Sequence, residues 1–266
     1  MLRCAEGTSR HLAPLRACAN GAALATLMAG CSAPVLLERS FRLAAGAVAH
    51  DRFLLSVPLR AAPDGVLPAL GRLGLPEAAR LAAEAAWAEA RFLHLGLEGD
   101  DQLKLYLEAP EGLVAPGDAG APLHRAWKWR PAGGELAEDR YILVPPDQAR
   151  ERLALVPALL QPALQGALAA LQARPGWLFM LDVLGPRGRR SLDIRCYDFE
   201  REVAAVAAPL ALAAAALAVP AAALDAALAQ HRGDQLGHLA FGVGHGGAPF
   251  LTVYGGAERC DPAVLG

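Results

Sequence analysis

Hydrophobic and polar residues alternate along residues 92–97 and again along 102–108. In the first stretch Leu93, Leu95 and Leu97 fall on one side, with His94 and Gly96 on the other. In the second, Leu103, Leu105 and Leu107 oppose Gln102, Lys104, Tyr106 and Glu108. A period of two is the signature of a β-strand whose faces meet different surroundings. Turn residues at 98–101 join the two into a hairpin. A helix precedes it, opening at Leu75-Pro76-Glu77 and running to Ala90, with proline in the first turn where its missing N–H costs nothing.

The same order returns near the C-terminus. A helix opens at Val219-Pro220-Ala221, and strands follow at 237–243 and 250–254. Pro76 precedes His94 by 18 residues, and Pro220 precedes His238 by 18. A third unit opens at Gln161-Pro162-Ala163, places Met180 at the same spacing, and predicts strands at 177–184 and 191–198. Two further hairpins are predicted, 36–44 with 52–60 and 125–130 with 140–144. Repetition of this kind marks an architecture assembled from one supersecondary unit. The expectation is a single α/β (α+β) domain over residues 1–266, with ten antiparallel strands around a chamber and helices outside.

The strand faces assign side chains to that chamber. Arg52, Leu54 and Ser56 oppose the apolar Phe53, Leu55 and Val57; Asp193, Arg195 and Tyr197 oppose Leu192, Ile194 and Cys196; and His238, Ala240, Gly242, Thr252 and Tyr254 oppose the apolar face of the last hairpin. Three of the four tyrosines fall at one register, in Lys104-x-Tyr106, Arg195-x-Tyr197 and Thr252-x-Tyr254. In 127–129 Lys128 is expected to face inward and both tryptophans outward. Small residues such as Gly96 and Ala240 leave room for a ligand. Cationic side chains suit phosphate oxygens, and tyrosine rings suit a carbocation. Together they fit an allylic diphosphate that ionises.

With these units in place, the chain resembles the PT-barrel (ABBA) prenyltransferases. That resemblance implies five α-β-β-α repeats enclosing a ten-stranded antiparallel barrel, and transfer of a dimethylallyl or longer prenyl group from an allylic diphosphate. Lys104-x-Tyr106 and Arg195-x-Tyr197 look like the family's diphosphate and tyrosine-shield positions. The resemblance implies Glu38 as the acidic base. It implies Arg52, Lys104, Lys128 and Arg195 as diphosphate ligands, and Tyr106, Tyr197 and Tyr254 as the cation shield. His94, Gly96, Met180, His238, Ala240 and Thr252 would line the prenyl and acceptor pocket. The length is similar to that of the cyanobactin-type branch, so the acceptor is expected to be a peptide side chain or a small aromatic. No tightly bound cofactor is expected; Mg2+ is an optional companion of the diphosphate. Two departures stand out: Thr252 where a basic or amide residue is expected, and a linker at 111–124 too short for a full helical layer. A barrel that binds a ligand or assembles with a partner without prenyl transfer is the alternative.

Composition narrows the picture. The 266 residues are 54% hydrophobic with a net charge of −2, which points away from nucleic acid and from an anionic membrane. Five widely spaced cysteines form no CxxC and suit a reducing, cytoplasmic setting. Residues 15–31 end in Met28-Ala29-Gly30-Cys31, like a lipoprotein cleavage site, but Asn20 and the Ala/Gly content favour a surface-packed helix. Residues 203–224 carry no charge, yet Pro209 and Pro220 divide them into short helices. There is no DDxxD run, which points away from the all-helical prenyl synthases, and the seven histidines form no HxxxH or HExxH, so no metal site is expected. The glycines at 242–247 read as a hairpin turn, and Arg187, Arg189 and Arg190 as a solvated cluster on another.

Overall fold

A computed structural model describes residues 9–99, 101–110 and 122–266. Two short helices, α1 (Leu12–Ala17) and α2 (Ala19–Met28), lead into strands β1 (Val35–Ala44) and β2 (Ala47–Pro58). Helices α3 (Val66–Arg72) and α4 (Glu77–Trp87) precede β3 (Phe92–Glu98) and β4 (Gln102–Glu108). Strands β5 (His124–Trp129) and β6 (Ala137–Leu143) follow, then helices α5 (Ala149–Ala154) and α6 (Gln161–Ala170). The chain ends with β7 (Met180–Leu184), β8 (Arg190–Arg195), helices α7 (Ala207–Ala216) and α8 (Ala221–Gln230), then β9 (Leu236–Val243) and β10 (Pro249–Cys260).

The strands form one closed barrel in the order β1-β10-β9-β8-β7-β6-β5-β4-β3-β2, every neighbour antiparallel. Pairing of β1 with both β2 and β10 removes the edges that an open sheet would expose. Because each hairpin is followed by a connection back to the same level, all five hairpin turns lie at one end of the barrel. The helical connections enter at the other. This polarity fixes the height of every lumen-facing residue.

The leucine stripes point outward, into the layer between barrel and helices. Leu93, Leu95, Leu97, Leu103, Leu105 and Leu107 are buried there against Leu24 and Met28 of α2, Leu70 of α3 and Ala83 of α4. On the opposite side Leu192, Ile194, Phe241 and Leu251 meet Leu153, Leu164, Leu210 and Leu224 of α5 to α8. Outside β5 the covering is supplied by Trp127 and Trp129, both buried, and the Trp129 indole N–H donates to the Leu73 carbonyl at 2.9 Å. The short linker expected at 111–124 falls mostly outside the described residues, as does Asp100 of the β3–β4 turn.

Several boundaries differ from the sequence expectation. The strand predicted at 191–198 stops at Arg195; Tyr197 lies in a 3-10 turn, Tyr197–Phe199, closed by Glu200 at φ 50°. Trp177 belongs to a 3-10 turn before β7, and Arg60 to one after β2. Met180, a lumen residue by the repeat spacing, packs in the outer layer. Phe179, one residue earlier, lines the chamber. The uncharged stretch 203–224 is broken into short helices, and among the described residues no single helix is long and apolar enough to cross a membrane. The segment at 15–31 forms α1 and α2, whose Leu15, Leu24 and Met28 are buried.

Leu105 is fully buried in the outer layer, whereas Leu54 lines the chamber. Leu105→Ala is expected to cost about 2–5 kcal/mol, the usual range for a buried leucine, and Leu54→Ala distinctly less. Denaturant unfolding of both variants checks the ranking; equal losses would contradict the assignment of the core to the outer layer.

Candidate active site

The lumen divides by chemistry along its axis. Arg42, Arg52, Lys104, Lys128 and Arg189 gather near the hairpin turns, each reaching one of two carboxylates, the partly buried Glu98 or the fully buried Asp139. Glu98 accepts from Arg42 Nη1 at 2.9 Å and from Lys104 Nζ at 2.5 Å, and also pairs with Arg52. Asp139 forms ion pairs with Lys128 and with Arg189, whose Nη1 lies 2.8 Å away. Among the described residues, five cations thus face two carboxylates. Leaving a buried cation unmatched is costly, and this excess makes the turn end of the lumen receptive to an anion.

Burial shapes the ionisation of these groups. It pushes the Lys104 ammonium well below its ordinary value and Lys128 down to about 8. Burial lowers Arg42 to about 10 as well, helped by neighbouring Arg52. Glu98 is held well below the usual carboxylate range: burial acts in the opposite sense, but the charges of Arg52, Lys104 and Arg42 prevail. Gly96 lies opposite Lys104 in the ladder, and a Cβ there would come within 3.2 Å of the lysine Cβ. Glycine therefore clears the path of the ammonium into the lumen.

Tyrosines occupy the middle. Tyr106 and Tyr141 meet edge to face with centroids 5.7 Å apart, and Tyr254 meets His238 edge to face at 6.0 Å. Burial raises the phenol pKa of all three, so they remain neutral hydroxyls. Thr252 accepts from Arg42 Nε at 3.0 Å and faces Ala240 across the ladder.

The helix end carries the acids and imidazoles. Glu38 is buried and accepts a hydrogen bond from the Tyr197 hydroxyl at 2.5 Å. Burial raises the Glu38 carboxyl above its ordinary pKa, while nearby His238 and the Tyr197 hydroxyl pull it back. Gly237 makes this pairing possible: a Cβ there would run into the Glu38 carboxylate and approach the Tyr197 hydroxyl at 2.8 Å. His238 Nδ1 lies 2.7 Å from Asp193, whose charge and hydrogen bond raise the imidazole pKa although burial opposes this. His94 contacts Ser56 and Glu108, and His124 is pushed down to about 4, first by burial and then by the charge of His94.

Of the residues singled out in the sequence, Glu38, Arg52, His94, Gly96, Lys104, Tyr106, Arg195, His238 and Tyr254 line one chamber. Lys128 stands at its turn end, on Asp139. Tyr197 reaches Glu38 from its 3-10 turn, not from a strand. Arg195 lies at the helix end, 4.3 Å over the Phe179 ring and 3.0 Å from Asp198, away from the cation cluster to which it was assigned. Arg189, expected in solvent, is buried on Asp139, while Arg187 and Arg190 pair with Glu135 and Asp182 outside the lumen. No clustered histidine motif exists in the sequence, yet folding brings His94, Glu108 and His124 together. Arg42 shares strand parity with Glu38, and Tyr141 with Asp139, so both could have been found by alternation. Nothing in the local pattern marks Arg189, which enters from a turn.

No family model and no curated protein matches the chain. Solved structures do. A 6-dimethylallyltryptophan synthase from Micromonospora olivasterospora, in complex with DMASPP and Trp, superposes with a TM-score of 0.63 over 94% of this chain and 98% of that one, at 14% identity. PriB, in a binary complex with product diphosphate, gives a TM-score of 0.56 over 95% and 94%, at 15% identity. A 5-dimethylallyltryptophan synthase from Streptomyces coelicolor gives 0.50 over 86% and 81%, at 16% identity. With its ten-stranded closed barrel, outer helices and these likenesses, the chain has the PT-barrel (ABBA) fold.

Proposed function

We propose that the protein is a prenyltransferase that moves a dimethylallyl or longer prenyl group from an allylic diphosphate to a small aromatic acceptor or an aromatic side chain of a peptide. The observation that carries this reading is the opposition of a cation cluster and a buried carboxylate, Glu38, across a zone of tyrosines in one lumen. The neighbours with DMASPP and Trp, and with product diphosphate, support the same substrate classes.

Arg42, Arg52, Lys104, Lys128 and Arg189 would hold the diphosphate. With all five protonated, which an adjacent diphosphate favours, their formal excess over Glu98 and Asp139 is three positive charges, against about three negative charges on a diphosphate ester. The side chains alone thus balance the leaving group; Mg2+ would add to this neutralisation. As the allylic C–O bond breaks, its electron pair stays with the diphosphate, where preorganised donors stabilise the growing charge. Tyr106, Tyr141 and Tyr254 face the allylic cation with their π surfaces and exclude water. An electron-rich ring carbon of the acceptor then attacks, and the proton it loses passes to Glu38. The Tyr197 hydroxyl favours the ionised carboxylate, while burial keeps it basic enough to accept that proton.

Incubation with dimethylallyl and geranyl diphosphates, tryptophan, simple indoles and phenols, and short Trp- or Tyr-containing peptides should add one prenyl unit to an aromatic acceptor, read by mass spectrometry. A folded protein that binds a prenyl thio-diphosphate but yields no product across this panel would favour a non-catalytic binding barrel.

Glu38→Gln should preserve affinity for a prenyl thio-diphosphate and lower turnover at least about tenfold, since a positioned base contributes about 10²–10⁴-fold. Activity needs the carboxylate, so it should fall as pH drops through the raised Glu38 pKa. Tyr197→Phe removes a bond that lowers this pKa and should move the acid limb of kcat/KM to higher pH. Full turnover in Glu38→Gln would remove it from the mechanism.

Burial, helped by the charge of Arg189, pushes Lys128 down to about 8. Thio-diphosphate affinity should therefore weaken as pH rises through about 8, and Lys128→Met should bind more weakly with a flatter profile. A charge-assisted hydrogen bond is worth about 1.5–3 kcal/mol. Calorimetry from pH 7 to 9 checks this; an affinity independent of pH in the unaltered protein would contradict it.

A further inference from the structure

Three side chains at the helix end of the lumen have no part in the chemistry above. His94 of β3, Glu108 of β4 and His124 of β5 stand on consecutive strands, and Glu108 faces His124 directly in the ladder. Their nearest ligand atoms all lie within 4.8 Å of one another. Both imidazoles converge on a single carboxylate oxygen: His94 Nε2 is 2.9 Å from Glu108 Oε2, and His124 Nδ1 is 3.8 Å from the same atom. We propose that His94, Glu108 and His124 form a binding site for a divalent transition-metal ion of the Zn2+ class, with its open coordination positions facing the lumen.

Four features carry this. The donor set is two imidazole nitrogens and one carboxylate, which suits Zn2+ and its borderline neighbours over the all-oxygen preference of Mg2+. Such an ion is chemically distinct from any Mg2+ accompanying a diphosphate at the opposite end. The ligands come from one wall of the barrel, so they would cap one side of the ion and leave the chamber side free, as in sites that accept an exogenous ligand. His94 is oriented from behind: its Nδ1 lies 2.8 Å from Ser56 Oγ. If Nδ1–H donates to that hydroxyl, Nε2 presents a lone pair toward a carboxylate oxygen, and a shared cation resolves two acceptors at hydrogen-bond distance. Holding the second ring nitrogen is the usual way a protein fixes a metal-ligating histidine. Finally, the surroundings are apolar and aromatic: Leu123, Leu181 and Phe179 line the same chamber, and Tyr141 stacks edge to face on His124 at 5.5 Å.

An ion there would sit beside the tyrosine zone, where a hydroxyl, carboxylate or ring nitrogen of an acceptor could complete its coordination and lose a proton more readily. That role rests on the prenyl-transfer reading; the metal site does not, and its test involves no prenyl substrate.

Chelator-treated full-length protein is titrated with Zn2+ by calorimetry, and bound metal is quantified after gel filtration. The expected result is about one equivalent, retained against a large excess of Mg2+. Co2+ in place of Zn2+ should give visible absorption bands that shift when imidazole is added. His124→Ala and the nearly isosteric Glu108→Gln should each weaken Zn2+ binding at least about tenfold, since loss of even an outer-shell partner of a metal ligand costs about 10–100-fold. His245→Ala, which changes a histidine on the β9–β10 turn, should bind as the unaltered protein does. Circular dichroism reports whether each variant is folded, and the isosteric Glu108→Gln carries the test should His124→Ala fail to fold. Absence of stoichiometric Zn2+ in the unaltered protein, or undiminished binding in folded Glu108→Gln, would overturn the proposal.

Discussion

Glu98 sits where three cations meet, and this largely enclosed ionic hub conditions the rest of the lumen. Arg42, Arg52 and Lys104 come from β1, β2 and β4, and Glu98 itself from the end of β3. Gathering that much positive charge away from water is unfavourable unless geometry supplies a counter-charge. One carboxylate supplies part of it and draws four neighbouring strands to a common point. Asp139 does the same for Lys128 and Arg189 on the other side of the barrel. The compensation is incomplete in both cases, and the remaining positive charge attracts an anion to the turn end. An entering diphosphate would share cations that the carboxylates already orient, so little reorganisation is needed on binding.

Closure of the sheet makes the hub possible. Ten paired strands enclose a polar interior only because their other face is covered by helices, and the leucine stripes of β3 and β4 supply that outer contact. The inward residues are then free to be polar. The direction of the hairpins sorts them by height: cations at the turns, tyrosines midway, Glu38 and the histidines near the helices. A substrate bridging these zones would place its leaving group, its reactive carbon and the proton acceptor in order along one axis.

Alternation exposed much of this arrangement in the sequence. The strands β3 and β4 were legible because three leucines recur at period two in each, and Lys104 and Tyr106 followed from parity. The third repeat misled because its spacing is shorter by one: Phe179, not Met180, occupies the inward position after Pro162. A single-residue slip transfers a side chain to the other face of the sheet. Asp182 shares the parity of Met180 and, although polar, faces outward, where it pairs with Arg190 of β8. Alternation picked out Tyr197 but not its setting in a 3-10 turn, and Arg189, on a hairpin turn, lay outside any strand pattern. The meeting of His94, Glu108 and His124 depends on pairing among three strands, which spacing along the chain does not encode.

The most direct test of the two-ended lumen is a crystal structure with a non-hydrolysable dimethylallyl thio-diphosphate. The diphosphate is expected among Arg42, Arg52, Lys104, Lys128 and Arg189, with the prenyl chain directed past Tyr106 and Tyr254 toward Glu38. A diphosphate bound at the helix end beside Arg195, or outside the barrel, would contradict it.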